Sequence, residues 1–162
     1  MVAPRPQHRP RGHLASLAPG AYADRDMAFN PECLGRRYEA GPQIVDRERH
    51  RAYLNAVWQG ADWEPSRPLA TFASVYLLWP IVPLLFSDPE VDLDLPRLLH
   101  GEQDFWFDRP IRFGEQLTPR GEITRAEERR GMVFLELTCK GQDEEGRDVA
   151  HSRSLFLVRS AT

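Results

Sequence analysis

The sequence predicts an α+β domain, with one long apolar helix packed against a run of antiparallel strands. Three observations carry this expectation. Leu69 to Phe86 is the most apolar stretch of the chain and is long enough for a buried helix. From Leu99 onward, apolar and polar residues alternate with the period of a half-buried strand. Glycine-bearing turns, Arg129-Arg130-Gly131 and Asp143-Glu144-Glu145-Gly146, divide that half into hairpins.

Residues 1–28 read differently from the rest. Pro4, Pro6, Pro10, Pro19, Gly12 and Gly20 break any periodicity, and the apolar residues are small. That composition predicts a flexible arm. Residues 29–162 are expected to form a single domain. Arg36 to Val45 reads as a first strand. Asp46 is a suitable N-cap for a helix over Arg47 to Gln59, with Tyr53, Leu54, Val57 and Trp58 on one stripe and Gly60 at its end. The polar link Asp62-Trp63-Glu64-Pro65-Ser66-Arg67-Pro68 leads into the apolar helix, predicted over Leu69 to Trp79, where Pro80 and Pro83 kink or end it. Ser87 to Pro96 is a loop.

Four strands complete the pattern: Leu99 to Asp108, Gln116 to Glu128, Met132 to Gly141 and Val149 to Arg159. In the third, Val133, Leu135, Leu137 and Cys139 face one way; in the fourth, Ala150, Ser152, Ser154, Phe156 and Val158 do. His50 and His151 are flanked by arginines and read as surface residues.

Composition excludes some functions. A formal net charge of −3 over 162 residues is not that of a nucleic-acid binder. Lys140 is the only lysine among 21 basic residues, but the arginines are spread along the whole chain. Coding bias in a high-GC genome therefore accounts for that better than selection for guanidinium contacts does. Cys33 and Cys139 lack neighbours at metal-ligand spacing, which predicts two free thiols in a reducing compartment and no metal. No signal-peptide pattern follows the basic N-terminus. The apolar stretch falls short of the ~20 residues of a spanning helix. A cytoplasmic protein without membrane partners is expected.

The most distinctive segment is Leu99-His100-Gly101-Glu102-Gln103, followed by Phe105-Trp106-Phe107, Arg109-Pro110 and Gly114 with Leu117. Together with Leu34-Gly35-Arg36-Arg37-Tyr38, Gly41-Pro42, Thr71-Phe72 and the ending Val149-Ala150 through Arg159, it resembles the MaoC-like dehydratases. The likeness is to their FAS1-like, N-terminal MaoC branch, and it spans roughly Leu34 to Arg159. The resemblance implies a hot-dog fold, a curled antiparallel sheet wrapped around a central apolar helix, and chemistry on fatty-acyl or polyketide thioesters. It implies no cofactor.

Active members of that family carry a D-x-N-P-x-H motif whose Asp and His handle protons as a 3-hydroxyacyl thioester loses water. Here Asp62-Trp63-Glu64-Pro65-Ser66-Arg67 stands nearest to it, with Glu64 in place of Asn and Arg67 in place of His. The helix-sized stretch that follows the motif in the family is almost absent. Arginine stays protonated and cannot act as a base. Another group must therefore replace the histidine if the chain is an acid–base enzyme.

His100, at a strand start where hot-dog pockets open, is the first catalytic candidate; the alternative is a strand-end histidine that bonds backbone. Asp62 is the second, against a turn carboxylate. Arg67 could bind a thioester-arm phosphate or a substrate carboxylate, or be a solvated loop residue. Trp63 and Trp106 could line a substrate pocket, although the four tryptophans also suit core and interface packing. Glu102 shares a strand face with His100 and Asp104 by simple alternation, so it could pair with the histidine or form a salt bridge.

Three functions remain open. The first is a dehydratase acting on a 3-hydroxyacyl or polyketide intermediate, with a dehydrating cyclase of specialised biosynthesis as its repurposed form. The second is a non-catalytic acyl-binding subunit of a MaoC-like partner. The third is a hot-dog acyl thioesterase. The expected partners are an acyl substrate on coenzyme A or acyl-carrier protein, and a second subunit, identical or MaoC-like, that covers an open strand edge.

Overall fold

The computed structural model describes residues 30–58, 64–91, 93 and 95–159. The expected arm at 1–28 lies outside them. Six strands form one antiparallel sheet. Its path runs β1 (Arg37–Glu39), β4 (Gln116–Arg129), β5 (Met132–Gln142), β6 (Asp148–Arg159) and β3 (Leu98–Phe107), and β2 (Gln43–Ile44) also pairs with β4. The expected first strand is thus two short ones, split at Ala40–Pro42, and both lie on β4. The two hairpins fall where the turn residues place them. Arg130 and Gly131 both take positive φ, 52° and 74°, as a tight hairpin turn requires.

Helix α1 (Arg47–Val57) is capped by Asp46, whose carboxylate accepts the Arg49 N–H at 2.7 Å. Its buried side is His50 and Leu54, with Tyr53 packed beside them; Val57 and Trp58 are exposed, so the inward stripe lies one turn earlier than expected.

The central helical run extends past both prolines. A 3₁₀ turn (Ala70–Phe72) leads into a π turn (Ser74–Leu78), and α2 (Val82–Ser87) follows. Pro80 has no N–H, and its ring crowds the carbonyl four residues back. The widened turn absorbs this: the Trp79 N–H bonds Ser74 O, five residues back, at 2.9 Å, and Ile81 N–H bonds Leu78 O at 2.9 Å. The run therefore passes through Pro80 and continues to Ser87. Pro83 sits in the first turn of α2, where its missing N–H costs nothing.

This run is apolar and long enough to cross a membrane by composition, but here it is the core helix. Leu78, Ile81 and Leu85 pack on Ile123, Leu135, Leu137, Cys139 and Phe156. Phe72, Tyr76 and Leu77 pack on Leu117, Val149 and Ala150, with Val45 and Ile111 closing that end. The inward faces of β5 and β6 are those the alternation predicts. The three described tryptophans, Trp58, Trp79 and Trp106, are all exposed and contribute nothing to the core.

Between β3 and β6, His100 stands opposite Phe156 and Glu102 opposite Leu155, so Gly101 is an extra residue in a β-bulge. The bulge reverses the alternation. His100 falls on the inward face with Phe156, its ring 5.0 Å from the phenyl ring, whereas Glu102 and Asp104 fall on the outer face. The shared face expected for His100 and Glu102 is therefore absent.

Candidate functional site

A cavity of about 350 Å³ opens between the N-terminal end of the central helical run and the end of β3. Arg67, Pro68, Leu69 and Ala70 form one wall, Phe107, Asp108, Arg109, Pro110 and Ile111 the other, and Tyr76 reaches in from the π turn. The first wall is pinned from behind. The Leu69 N–H donates to His50 Nε2 at 3.1 Å, and the His50 ring is wedged edge-on against Phe72 and Phe113. His50 is therefore a core residue, 2% exposed, and not the surface residue its arginine neighbours suggested. Burial, joined by the nearby Arg47 charge, lowers its pKa and favours the neutral ring that can accept this bond.

The second wall is held by the Arg109-Pro110 corner. Arg109 reaches Glu115 at 2.9 Å and Asp143 at 3.6 Å, which ties the corner to the β5–β6 hairpin. Its guanidinium is committed to the scaffold. Arg67, by contrast, is exposed and makes no ion pair among the described residues. Tyr76 is buried, and burial raises its phenol pKa well above the usual value, so the hydroxyl stays protonated and is a donor.

Asp108 is the one carboxylate residue among the described residues lining the cavity. Its Oδ2 lies 2.7 Å from Nε2 of His151, which projects from the outer face of β6. A carboxylate only accepts, so Nε2 bears the proton. The imidazole lies flat on Trp106, 5.3 Å between centroids and 1° between planes. The β3–β6 register sets Trp106 opposite His151 and thereby makes this stack. His151 is half-buried and engaged, contrary to the surface reading.

The residues singled out in the sequence separate. Arg67 lines the cavity, and Trp106 supports Asp108 through His151. His100 lies seven residues along β3 from the cavity wall at Phe107, about 23 Å at the rise of a strand. Glu102 is taken up on the outer face by Arg153 at 3.1 Å, which also holds Asp104 and Glu136. Asp62 and Trp63 lie outside the described residues. Tyr76, Asp108 and His151 were missed. Asp108 and Trp106 share a strand face by alternation, but their meeting with His151 depends on a β3–β6 register that no local pattern encodes.

A second, larger groove of about 660 Å³ crosses the outer face of β1, β4 and β5. Its charges already pair with each other: Arg37 with Glu122 at 3.0 Å, Arg120 with Glu39 at 2.8 Å, Lys140 with Asp148 at 2.7 Å. The smaller cavity is the one with open polar groups.

Residues 32–152 match the model of the FAS1-like dehydratase domain region. The chain belongs to that family. Among curated proteins it is similar to a UPF0336 protein of Clavibacter michiganensis, 30% identical over 148 residues that cover 82% of this chain and 97% of the relative. A UPF0336 protein of Streptomyces coelicolor is 28% identical over 148 residues, covering 83% and 98%. Among solved structures, the HadBC (3R-hydroxyacyl-ACP dehydratase) complex of Mycobacterium tuberculosis superposes with a TM-score of 0.65 at 20% identity, over 80% of this chain and 99% of that one. The ChsH1–ChsH2 complex of the same organism superposes at 0.54 with 13% identity, over 78% and 84%. At these identities the likeness establishes the fold. This member of the FAS1-like dehydratase family thus has the MaoC-like hot-dog architecture, an open antiparallel sheet around a helix.

Proposed function

We propose that the protein acts on a 3-hydroxyacyl thioester, of fatty-acyl or polyketide type, by eliminating water, and that it does so as one half of a hot-dog pair. The observation that carries this reading is the cavity between the central helical run and the end of β3. It combines an apolar wall with a guanidinium that makes no ion pair among the described residues, a protonated phenol and a carboxylate residue. The apolar wall suits an acyl chain, and Arg67 and Tyr76 supply donors for a thioester carbonyl or the phosphate of the carrier arm. Asp108 supplies proton-handling capacity.

Pairing is supported by β3. It ends the sheet with ten residues whose free edge faces no strand among the described residues, and Leu99 and Trp106 are exposed along it. An edge of that length invites another strand. Two of the structural relatives, the HadBC and ChsH1–ChsH2 complexes, are themselves assemblies, which fits either a homodimer or a heterodimer here.

The second reading, a non-catalytic acyl-binding subunit, is favoured by one specific observation. Arg67, which stands in for the motif histidine by sequence likeness, lines the cavity, and it cannot serve as a base. One experiment separates the two. The purified chain is incubated with 3-hydroxybutyryl-coenzyme A, alone and mixed with a MaoC-like subunit bearing the full motif, while formation of the conjugated enoyl thioester is followed. Turnover by the chain alone supports the enzyme. Turnover only in the mixture supports the subunit. Release of free acid instead would assign the third function, a thioesterase. No turnover in either case sinks the dehydration reading.

A further inference from the structure

Among the described residues lining the cavity, only Arg67, Tyr76, Asp108 and Arg109 can titrate. Arginine does not give up its proton, which removes Arg67 and Arg109 as bases. Tyr76 is buried and holds its proton as a donor. The neighbouring carboxylates are occupied: Glu115 by Arg109 and the Arg112 N–H, Asp143 by Arg147 and two backbone N–H groups. Asp108 remains. Its Oδ2 is fixed by His151, its Oδ1 has no hydrogen-bond partner among the described residues, and its backbone N–H is anchored to Val149 O at 3.2 Å.

Resting on the dehydration reading, we infer that Asp108 is the catalytic base of this chain and that His151, clamped against Trp106, is its positioning residue. The pair stands in for the proton-handling histidine that the altered motif lacks. In the reaction, Asp108 Oδ1 takes the proton from C2 of the 3-hydroxyacyl thioester. Charge builds on the thioester carbonyl oxygen, where Tyr76 and Arg67 can donate hydrogen bonds. The C3–O bond then breaks, the C2=C3 bond forms, and the carboxyl returns its proton to the departing hydroxyl, which leaves as water from the same side. The carboxylate is restored, and no oxidant, reductant or cofactor enters the balance. His151 donates to Oδ2 throughout, which keeps Oδ1 turned to the substrate. The Trp106 stack fixes the plane of the imidazole.

The test uses the full chain alone, with 3-hydroxybutyryl-coenzyme A as the probe. Asp108→Asn should lower kcat by about 10²–10⁴-fold with KM little changed. His151→Phe keeps a ring on Trp106 but donates nothing, and should lower kcat without raising KM; His151→Gln restores a donor and should recover much of the loss. A merely structural role for His151 would not produce that split and rescue. Wild-type turnover in Asp108→Asn, or wild-type turnover only with a motif-bearing partner, overturns the inference. If the wild type shows no turnover under any condition, the dehydration reading has failed separately. The site is then judged by NMR of the His151 ring during titration with crotonyl-coenzyme A. A shift that Asp108→Asn abolishes supports a ligand-facing pair, and an unmoved ring overturns it.

Discussion

Asp88 receives a two-point hydrogen bond from Arg36, 2.7 Å from Nε and 2.9 Å from Nη2, just past the end of α2. The Tyr38 hydroxyl donates a third bond at 2.9 Å and the Glu90 N–H a fourth at 3.0 Å. This knot ties the far end of the central helix to β1, the short strand that closes one side of the sheet. Burial pushes the Asp88 carboxyl pKa up, but the donors together outweigh it and hold the group below its usual 3.8.

The Arg36–Asp88 pair should therefore matter to stability in a pH-dependent way. Asp88→Asn leaves a half-buried guanidinium without its counter-ion, and should cost about 1.5–3 kcal/mol near neutrality. A folded-state pKa below the unfolded one means the contribution is full above pH 4 or so. It is lost as the pH falls through the folded value, because the unfolded chain binds the proton first. Urea unfolding of wild type and variant should converge in acid. A gap that stays constant down to the acid limit would show that Asp88 acts through something other than its charge.

Two glycines let the helix lie directly on the sheet. A Cβ on Gly121 would stand 2.7 Å from Ile81 Cγ2 and 3.3 Å from Leu137, and one on Gly141 would stand 2.6 Å from Leu77 Cδ2. Gly121→Ala and Gly141→Ala should each destabilise by about 1–3 kcal/mol through overpacking. Gly121→Ala should be the costlier, since the β-branched Ile81 has fewer rotamers with which to move aside than Leu77. Melting temperatures of the two variants check both the direction and the order.

Much of this architecture was legible because it follows from local periodicity. The inward faces of β5 and β6, the Asp46 cap and both hairpin turns come from spacing and turn chemistry alone. The site was legible only in part. His100 and Glu102 were assigned one face by counting twos, and the Gly101 bulge defeats that count. His50 looked like a surface residue beside Arg49 and Arg51, yet the helix rotates it onto Phe72. Asp108 and His151 lie 43 residues apart, and only the β3–β6 register joins them. Arg67 was singled out because it stands at a recognisable motif position, and it lines the cavity.

The free edge of β3 yields a prediction about assembly. Leu99 is 61% exposed, and a charge there costs the isolated chain little. If β3 pairs with a second subunit, Leu99→Lys on each side brings like charges to the joint and desolvates them. Sedimentation should show wild type as a pair and the variant shifted toward the single chain, with an unchanged circular-dichroism spectrum. An unaltered mass for the variant would place the contact elsewhere.

His50 links pH to the shape of the cavity. Its Nε2 accepts the Leu69 N–H, and a protonated ring has no lone pair with which to do so. Burial and Arg47 lower its pKa, Glu64 opposes them, and the net shift is below 6.5. The neutral ring is thus favoured in the folded state. Its contribution is full above pH 6.5 and declines as the pH falls through the folded value, where the unfolded chain binds the proton more readily. Stability should fall on acidification in that window, and the Leu69–Ala70 wall should loosen with it. His50→Ala removes the acceptor at every pH, at a cost of about 1–3 kcal/mol, and should flatten the pH dependence there. Amide exchange at Leu69 provides the readout. In wild type, protection should fall as the pH is lowered below 6.5, after correction for the intrinsic exchange rate. In His50→Ala, Leu69 should be unprotected throughout. Equal protection in the two proteins would remove His50 from control of the cavity wall.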